Sequence, residues 1–196
     1  MKIVIQCAGR KNDEGYWQTK EGKNVMFVAH PEVNSPAFDG LYAFPDHISD
    51  QNTSWRELVW DYNRHPNHNY FNLYPAYLLY KNPAYHNLVS NFGVDNVYIL
   101  SAGWGLIRSD FLTPQYDITF QTQANPHQRR RRRDRYNDFC MLPKNTTDTI
   151  VYLGGKDYIH LFCDLTNNIK CKKIILHNLN SPPQYRGSLL SGTLIE

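Results

Sequence analysis

The stretch Val97-Tyr98-Ile99-Leu100-Ser101-Ala102-Gly103-Trp104-Gly105-Leu106 decides the fold. Its first four residues are an apolar run too short for a helix, which is how a strand buried on both faces reads. The segment before it has helical spacing. Tyr85, Leu88, Val89 and Phe92 fall at i, i+3, i+4 and i+7, with Asn82-Pro83 as a start signal and Gly93 as a stop. A helix feeding a buried strand is the repeating unit of α/β proteins. Working outward, residues 3–6, 25–29, 150–153 and 173–177 are similar short strands. The Ser54-Trp55-Arg56-Glu57 capping box predicts a helix over 55–64 stopped by Pro66, and a second helical piece covers 74–81. The expected architecture is one α/β domain spanning 1–196: an open, largely parallel sheet of about five strands with helices on both faces. Residues 10–24 and 31–49 read as loops, the latter a candidate lid.

A chain of 196 residues fits one ordinary domain. Its 41% hydrophobic and 20% charged residues exclude the disordered and membrane classes. No apolar run approaches the roughly 20 residues a bilayer requires, and the first five residues read as a strand with no cleavage site. The expectation is a cytoplasmic protein without a membrane partner. Cys7, Cys140, Cys163 and Cys171 show no C-x-x-C spacing, so reduced thiols are expected. His65 and His68 flank Pro66 with no third ligand in range, and neither phosphate-binding glycine motif is present; no metal or cofactor is expected. Nothing indicates an obligate protein partner. The net charge is +3, but six of the 21 basic residues lie within 129–135, and the rest of the chain is slightly acidic. Basicity so concentrated points to a polyanionic partner.

In open α/β sheets ligands bind beyond the carboxyl ends of the strands. Three strand ends here carry small residues followed by a cation or an aromatic ring: Cys7-Ala8-Gly9-Arg10-Lys11, Ser101-Ala102-Gly103-Trp104-Gly105, and Gly154-Gly155-Lys156. A glycine after a strand is ordinarily a turn, but three such ends suggest a ligand approaching backbone. Beyond the second end lie Asp110, Tyr116 and Asp117. Asp117 is the preferred acid, able to stabilise a sugar cation or direct a water, while Asp110 reads as a turn cap. Asn125-Pro126 resembles a helix start, so a basic helix is expected over about 126–140, exposing Arg129, Arg130, Arg131, Arg132, Arg133 and Arg135 to phosphates.

The segments VYILSAGWGLIRSDFLTPQYDITF, IQCAGRKN and IVYLGGKDY resemble, in order, the YaaA-like superfamily of small bacterial and phage-associated α/β proteins. Members carry a Cys-Ser-Gly-Ser-Lys-like loop, then Leu-Ser-Ala-x-Tyr-Gly-Leu and Pro-Tyr-Asp. Here Trp104 replaces the usual Tyr or His, and Ala8 and Arg10 replace hydroxyl residues. The resemblance implies contact with DNA and, in some phage-defence relatives, excision of modified bases. It carries function onto Cys7, Lys11, Ser101, Gly105, Tyr116 and Asp117.

Together these features predict a DNA N-glycosylase that engages duplex and flips a modified base, with a glucosylated hydroxymethylcytosine in phage defence as the expected substrate. Asp117, Tyr116 and Ser101 are the candidate catalytic residues, and Cys7, Arg10, Lys11, Trp104, Gly105 and Lys156 the candidate substrate contacts. Two alternatives stand beside it: a non-catalytic DNA-binding protein of stress response, and an enzyme processing nucleotides or nucleosides.

Overall fold

A computed structural model describes residues 1–33, 35–65, 68–177, 184–185, 188–189 and 192–194; Pro66 lies outside the described residues. The elements in chain order are β1 (Lys2–Gln6), β2 (Trp17–Gln18), β3 (Asn24–Val28), β4 (Leu41–Ala43), α1 (Trp55–Tyr62), β5 (Tyr74–Pro75), α2 (Ala76–Leu79) and α3 (Ala84–Phe92). They continue with β6 (Val97–Ser101), β7 (Gly105–Arg108), β8 (Leu112–Thr113), β9 (Tyr116–Asp117), β10 (Phe139–Cys140) and β11 (Ile150–Leu153). The last are α4 (Lys156–Thr166), β12 (Lys173–His177), β13 (Gln184–Tyr185), β14 (Ser188–Leu189) and β15 (Gly192–Leu194).

The main sheet has seven strands in the order β10-β7-β6-β1-β11-β12-β15, and every neighbouring pair is parallel except β6–β7. The α/β class and largely parallel sheet expected from the sequence are present, with seven strands instead of about five. Val97–Ser101 is buried at every position, as its unbroken apolar run requires. Residues 25–29 do not join this sheet. All but Ala29 fall in β3 of a smaller one, where β3 pairs with β2, β4 and β9. The segment 31–49 contributes β4 to that sheet, and so is not wholly irregular.

Local signals operate where expected. Ser54 Oγ accepts from Glu57 N–H while the Glu57 carboxylate takes the Ser54 N–H, closing the capping box of α1. Asn82 accepts from the Ala84 N–H at the start of α3, and Gly93 ends that helix with φ 81°. The 74–81 piece shrinks to α2, because Tyr74–Pro75 is drawn into a pair with β8.

From β1 the chain reaches β6 on one side, and from β11 it reaches β12 on the other, so strand order reverses between β1 and β11. α4 lays Phe162 flat against Tyr152 of β11, with ring centroids 4.8 Å apart. α3 is pinned at the carboxyl end of β1, where Tyr85 OH donates to the Gln6 carbonyl at 2.8 Å.

Candidate active site

A crevice opens where strand order reverses, the position at which open α/β sheets bind ligands. Its floor is the end of β1, Gln6-Cys7-Ala8-Gly9, beside the end of β11, Gly154-Gly155. Gln6 Oε1 accepts the Gly155 N–H at 2.6 Å and ties the two ends together. A Cβ at Gly154 would overlap the Tyr152 hydroxyl and come within 2.9 Å of Gln6 Oε1, so a larger residue there would have to displace the Tyr152 ring. The cavity is about 790 Å³ and is also lined by Lys11, Asn82, Asp117, Thr119, Gln121, Gln123, Gln128 and Tyr158. It is continuous with a second hollow of about 570 Å³ through the shared residues Gly9, Lys11 and Asp117. Arg10, Tyr16, Gln115 and Tyr116 are among the other residues that line that hollow.

Lys11 and Asp117 thus face the same space from different sheets, since Lys11 follows β1 whereas Asp117 sits on β9 opposite Val28. Gln128 donates its amide to the Asp117 carboxylate and orients it. Lys11 Nζ lies 4.2 Å from the centroid of the Tyr116 ring, and among the described residues it has no hydrogen-bond or ion-pair partner. Burial pushes the Lys11 pKa down, and the nearby Cys7 and Asp117 offset this only partly. Tyr116 is buried, shares a 2.8 Å hydrogen bond with Tyr80, and is held protonated by burial. Cys7 Sγ lies 3.3 Å from the Tyr158 hydroxyl, whose pKa burial also raises.

The second sequence motif plays a different part. Ser101-Ala102-Gly103-Trp104-Gly105 is the tight turn of the β6–β7 hairpin, not an open strand end. Ser101 is fully buried, and its Oγ accepts the N–H groups of Gly103 and Trp104 at 3.2 and 3.1 Å. Trp104 is 0% exposed and packs edge-on against Phe27 at 5.0 Å, so it offers no face to a base. Gly105 is required by φ +86° and by Phe139 O, which would lie 2.5 Å from a Cβ; it makes room for β10. Two buried guanidiniums satisfy the turn's carbonyls. Arg56 donates to Gly103 O at 2.9 Å and pairs with Asp46, while Arg130 donates to Ala102 O at 2.7 Å and pairs with Asp138 at 2.5 Å.

The expected basic helix does not form: residues 126–138 are turns and extended chain. Their backbone groups are committed elsewhere. Arg130 N–H donates to Thr119 O, and Thr119 N–H to Gln128 O, both at 2.9 Å. Arg130 is 5% exposed, with Tyr136 3.6 Å beneath its guanidinium, and cannot reach a phosphate. Arg129 is half-buried, bridged to Thr119, whereas Arg131, Arg132, Arg133 and Arg135 are exposed. Lys156 is exposed at the start of α4 and lines none of the cavities described here. Asp110 pairs with Arg108, away from the crevice.

Sequence reasoning found Cys7, Lys11 and Asp117 but missed the amides Asn82, Gln121, Gln123 and Gln128. The signal for three of them was the recurrence of Gln directly after Asp117. Among the described residues no cluster of potential metal ligands occurs, and no helix is long and apolar enough to cross a membrane. Compared with known protein families, curated proteins and solved structures, the chain matches none.

Proposed function

We propose that this protein cleaves the N-glycosidic bond of a modified base in DNA. The observation that carries the proposal is the convergence of Lys11, Cys7 and Asp117 with five side-chain amides in one crevice of about 790 Å³. Amides present paired donors and acceptors, the chemistry that reads a base edge. A pocket of this volume accommodates a nucleotide turned out of its stack.

In the proposed reaction the bond from C1′ to the base nitrogen breaks, its electron pair leaves with the base, and positive charge develops on the sugar. Asp117, oriented by Gln128, stabilises that charge. Water adds to C1′ and gives up a proton, leaving an abasic sugar. Arg10 at the rim and the exposed Arg131, Arg132, Arg133 and Arg135, on the segment leaving Gln128, engage phosphates. The resemblance of Cys7–Lys11 and Tyr116–Asp117 to YaaA-like motifs supports DNA as the polymer and a phage-type modification as the target.

The test incubates phage DNA bearing glucosylated hydroxymethylcytosine, and unmodified DNA, with wild type and Asp117→Asn, and follows aldehyde-reactive sites and released base. Wild type should release base from the modified DNA, and Asp117→Asn should be at least about 100-fold slower. Retained DNA binding with no base release from any modified DNA would leave the binding-only alternative. Turnover of free nucleosides or nucleotides, indifferent to the exposed arginines, would favour the small-molecule alternative.

A further inference from the structure

We propose that Lys11 is an imine-forming nucleophile that gives the protein a second activity, cleavage of the DNA strand at an abasic sugar. The proposal rests on the base-excision reading above and extends it to the product of that step.

Three features of Lys11 support it. Its amine lies within the crevice that Asp117 also lines, yet among the described residues it makes no ion pair or hydrogen bond. An amine serving only to balance charge would be expected to contact a carboxylate; Lys81, at the rim of the adjoining hollow, does so with Asp13 at 3.0 Å. Second, the amine lies over the face of Tyr116, 4.2 Å from the ring centroid, an aromatic wall that keeps water from one side of it. Third, burial favours the neutral amine, the form that attacks a carbonyl. Within the 790 Å³ crevice Lys11 is the one lysine among the lining residues.

The chemistry balances without any co-reactant beyond water. Hydrolysis of the base leaves a sugar that opens to an aldehyde at C1′. The Lys11 amine adds to this carbon, a new C–N bond forms, and the carbonyl oxygen leaves as water to give an iminium ion. That cation acidifies the C2′ hydrogen. Asp117 accepts this proton, the C–H electron pair forms the C2′–C3′ double bond, and the C3′–O bond breaks to expel the 3′ phosphate. Water then hydrolyses the imine and regenerates the amine.

The experiment uses the full chain and a synthetic duplex carrying one preformed abasic site, with sodium cyanoborohydride as the trap. Wild type should form a covalent protein–DNA adduct and should nick the duplex when the trap is omitted. Peptide mass spectrometry should place the reduced linkage on Lys11. Lys11→Arg, which keeps the charge but not the nucleophile, should lower adduct formation at least about 100-fold. Binding of the abasic duplex with no adduct, or an adduct mapped to another residue in wild type, would overturn the proposal whether or not the variant folds. Running the modified phage DNA in parallel separates the two claims. Base release that leaves intact abasic strands and no adduct refutes the lyase alone, whereas an adduct on the abasic duplex without base release refutes the excision reading alone.

Discussion

Replacing Arg130 by Met tests whether the longest basic run in the chain is anchored in the core. In the structure Arg130 and Asp138 are 5% and 7% exposed, joined by two hydrogen bonds at 2.9 and 2.5 Å, and a third bond reaches Ala102 O at 2.7 Å. Met fills a similar volume but leaves the Asp138 carboxylate buried without its cation, a change that costs about 3–5 kcal/mol. For a domain of this length each kcal/mol lowers Tm by roughly 2–4 °C, so a fall of about 6–20 °C is expected. Asp138→Leu should cost a similar amount. The double variant Arg130→Met/Asp138→Leu should recover most of the loss, keeping a deficit of about 1–3 kcal/mol for the unpaired Ala102 carbonyl. Urea denaturation of the four proteins gives the coupling directly. A loss under about 1 kcal/mol for Arg130→Met, together with weakened DNA binding, would show that the guanidinium faces ligand, and would refute the structural assignment.

Three further outcomes follow from the same geometry. Changing Arg131, Arg132, Arg133 and Arg135 together to Ala should leave Tm within a few degrees, while the slope of log DNA affinity against log salt falls by up to about 3–4, each phosphate contact contributing roughly 0.9; binding titrations at several salt concentrations measure this. Gly105→Ala forces a Cβ into the Phe139 backbone at a positive φ and should destabilise by more than about 2 kcal/mol, read from the urea midpoint. Without a nucleophile, Lys11→Met offers a pH test of stability. Because the folded Lys11 pKa is depressed, the unfolded chain binds the extra proton between the two pKa values, and wild-type stability rises with pH through that window. The rise, measured by urea melts in alkaline buffers, should be smaller in Lys11→Met.

Much of the main sheet was legible because β1, β6, β11 and β12 are continuous apolar runs that need burial on both faces. The β6–β7 hairpin was not, since Gly103-Trp104-Gly105 has the composition of an open ligand loop and only the approach of Phe139 reveals its purpose. Two-residue strands such as Tyr74–Pro75 and Tyr116–Asp117 depend on partners distant in sequence, and no local periodicity announces them. The basic run had helical composition, but Asp138 and the backbone of Thr119 hold it as turns, a tertiary override of propensity. Lys11 and Asp117 stood out as charged residues at strand ends. Their amide companions carry no charge and look like ordinary polar surface until the crevice gathers them.

The crevice lies across a seam. Cys7 and Lys11 lie on the loop leaving β1 of the seven-stranded sheet, Asp117 in the small sheet built on β3, and the two sides are linked through Tyr80, whose backbone bridges to Lys11 and whose hydroxyl bonds to Tyr116. A molecule held by both Lys11 and Asp117 would therefore serve as a cross-brace between two separately hydrogen-bonded frameworks. Its occupancy should be visible at a distance, as slowed amide exchange in β2, β3 and β4, whose N–H groups touch no ligand.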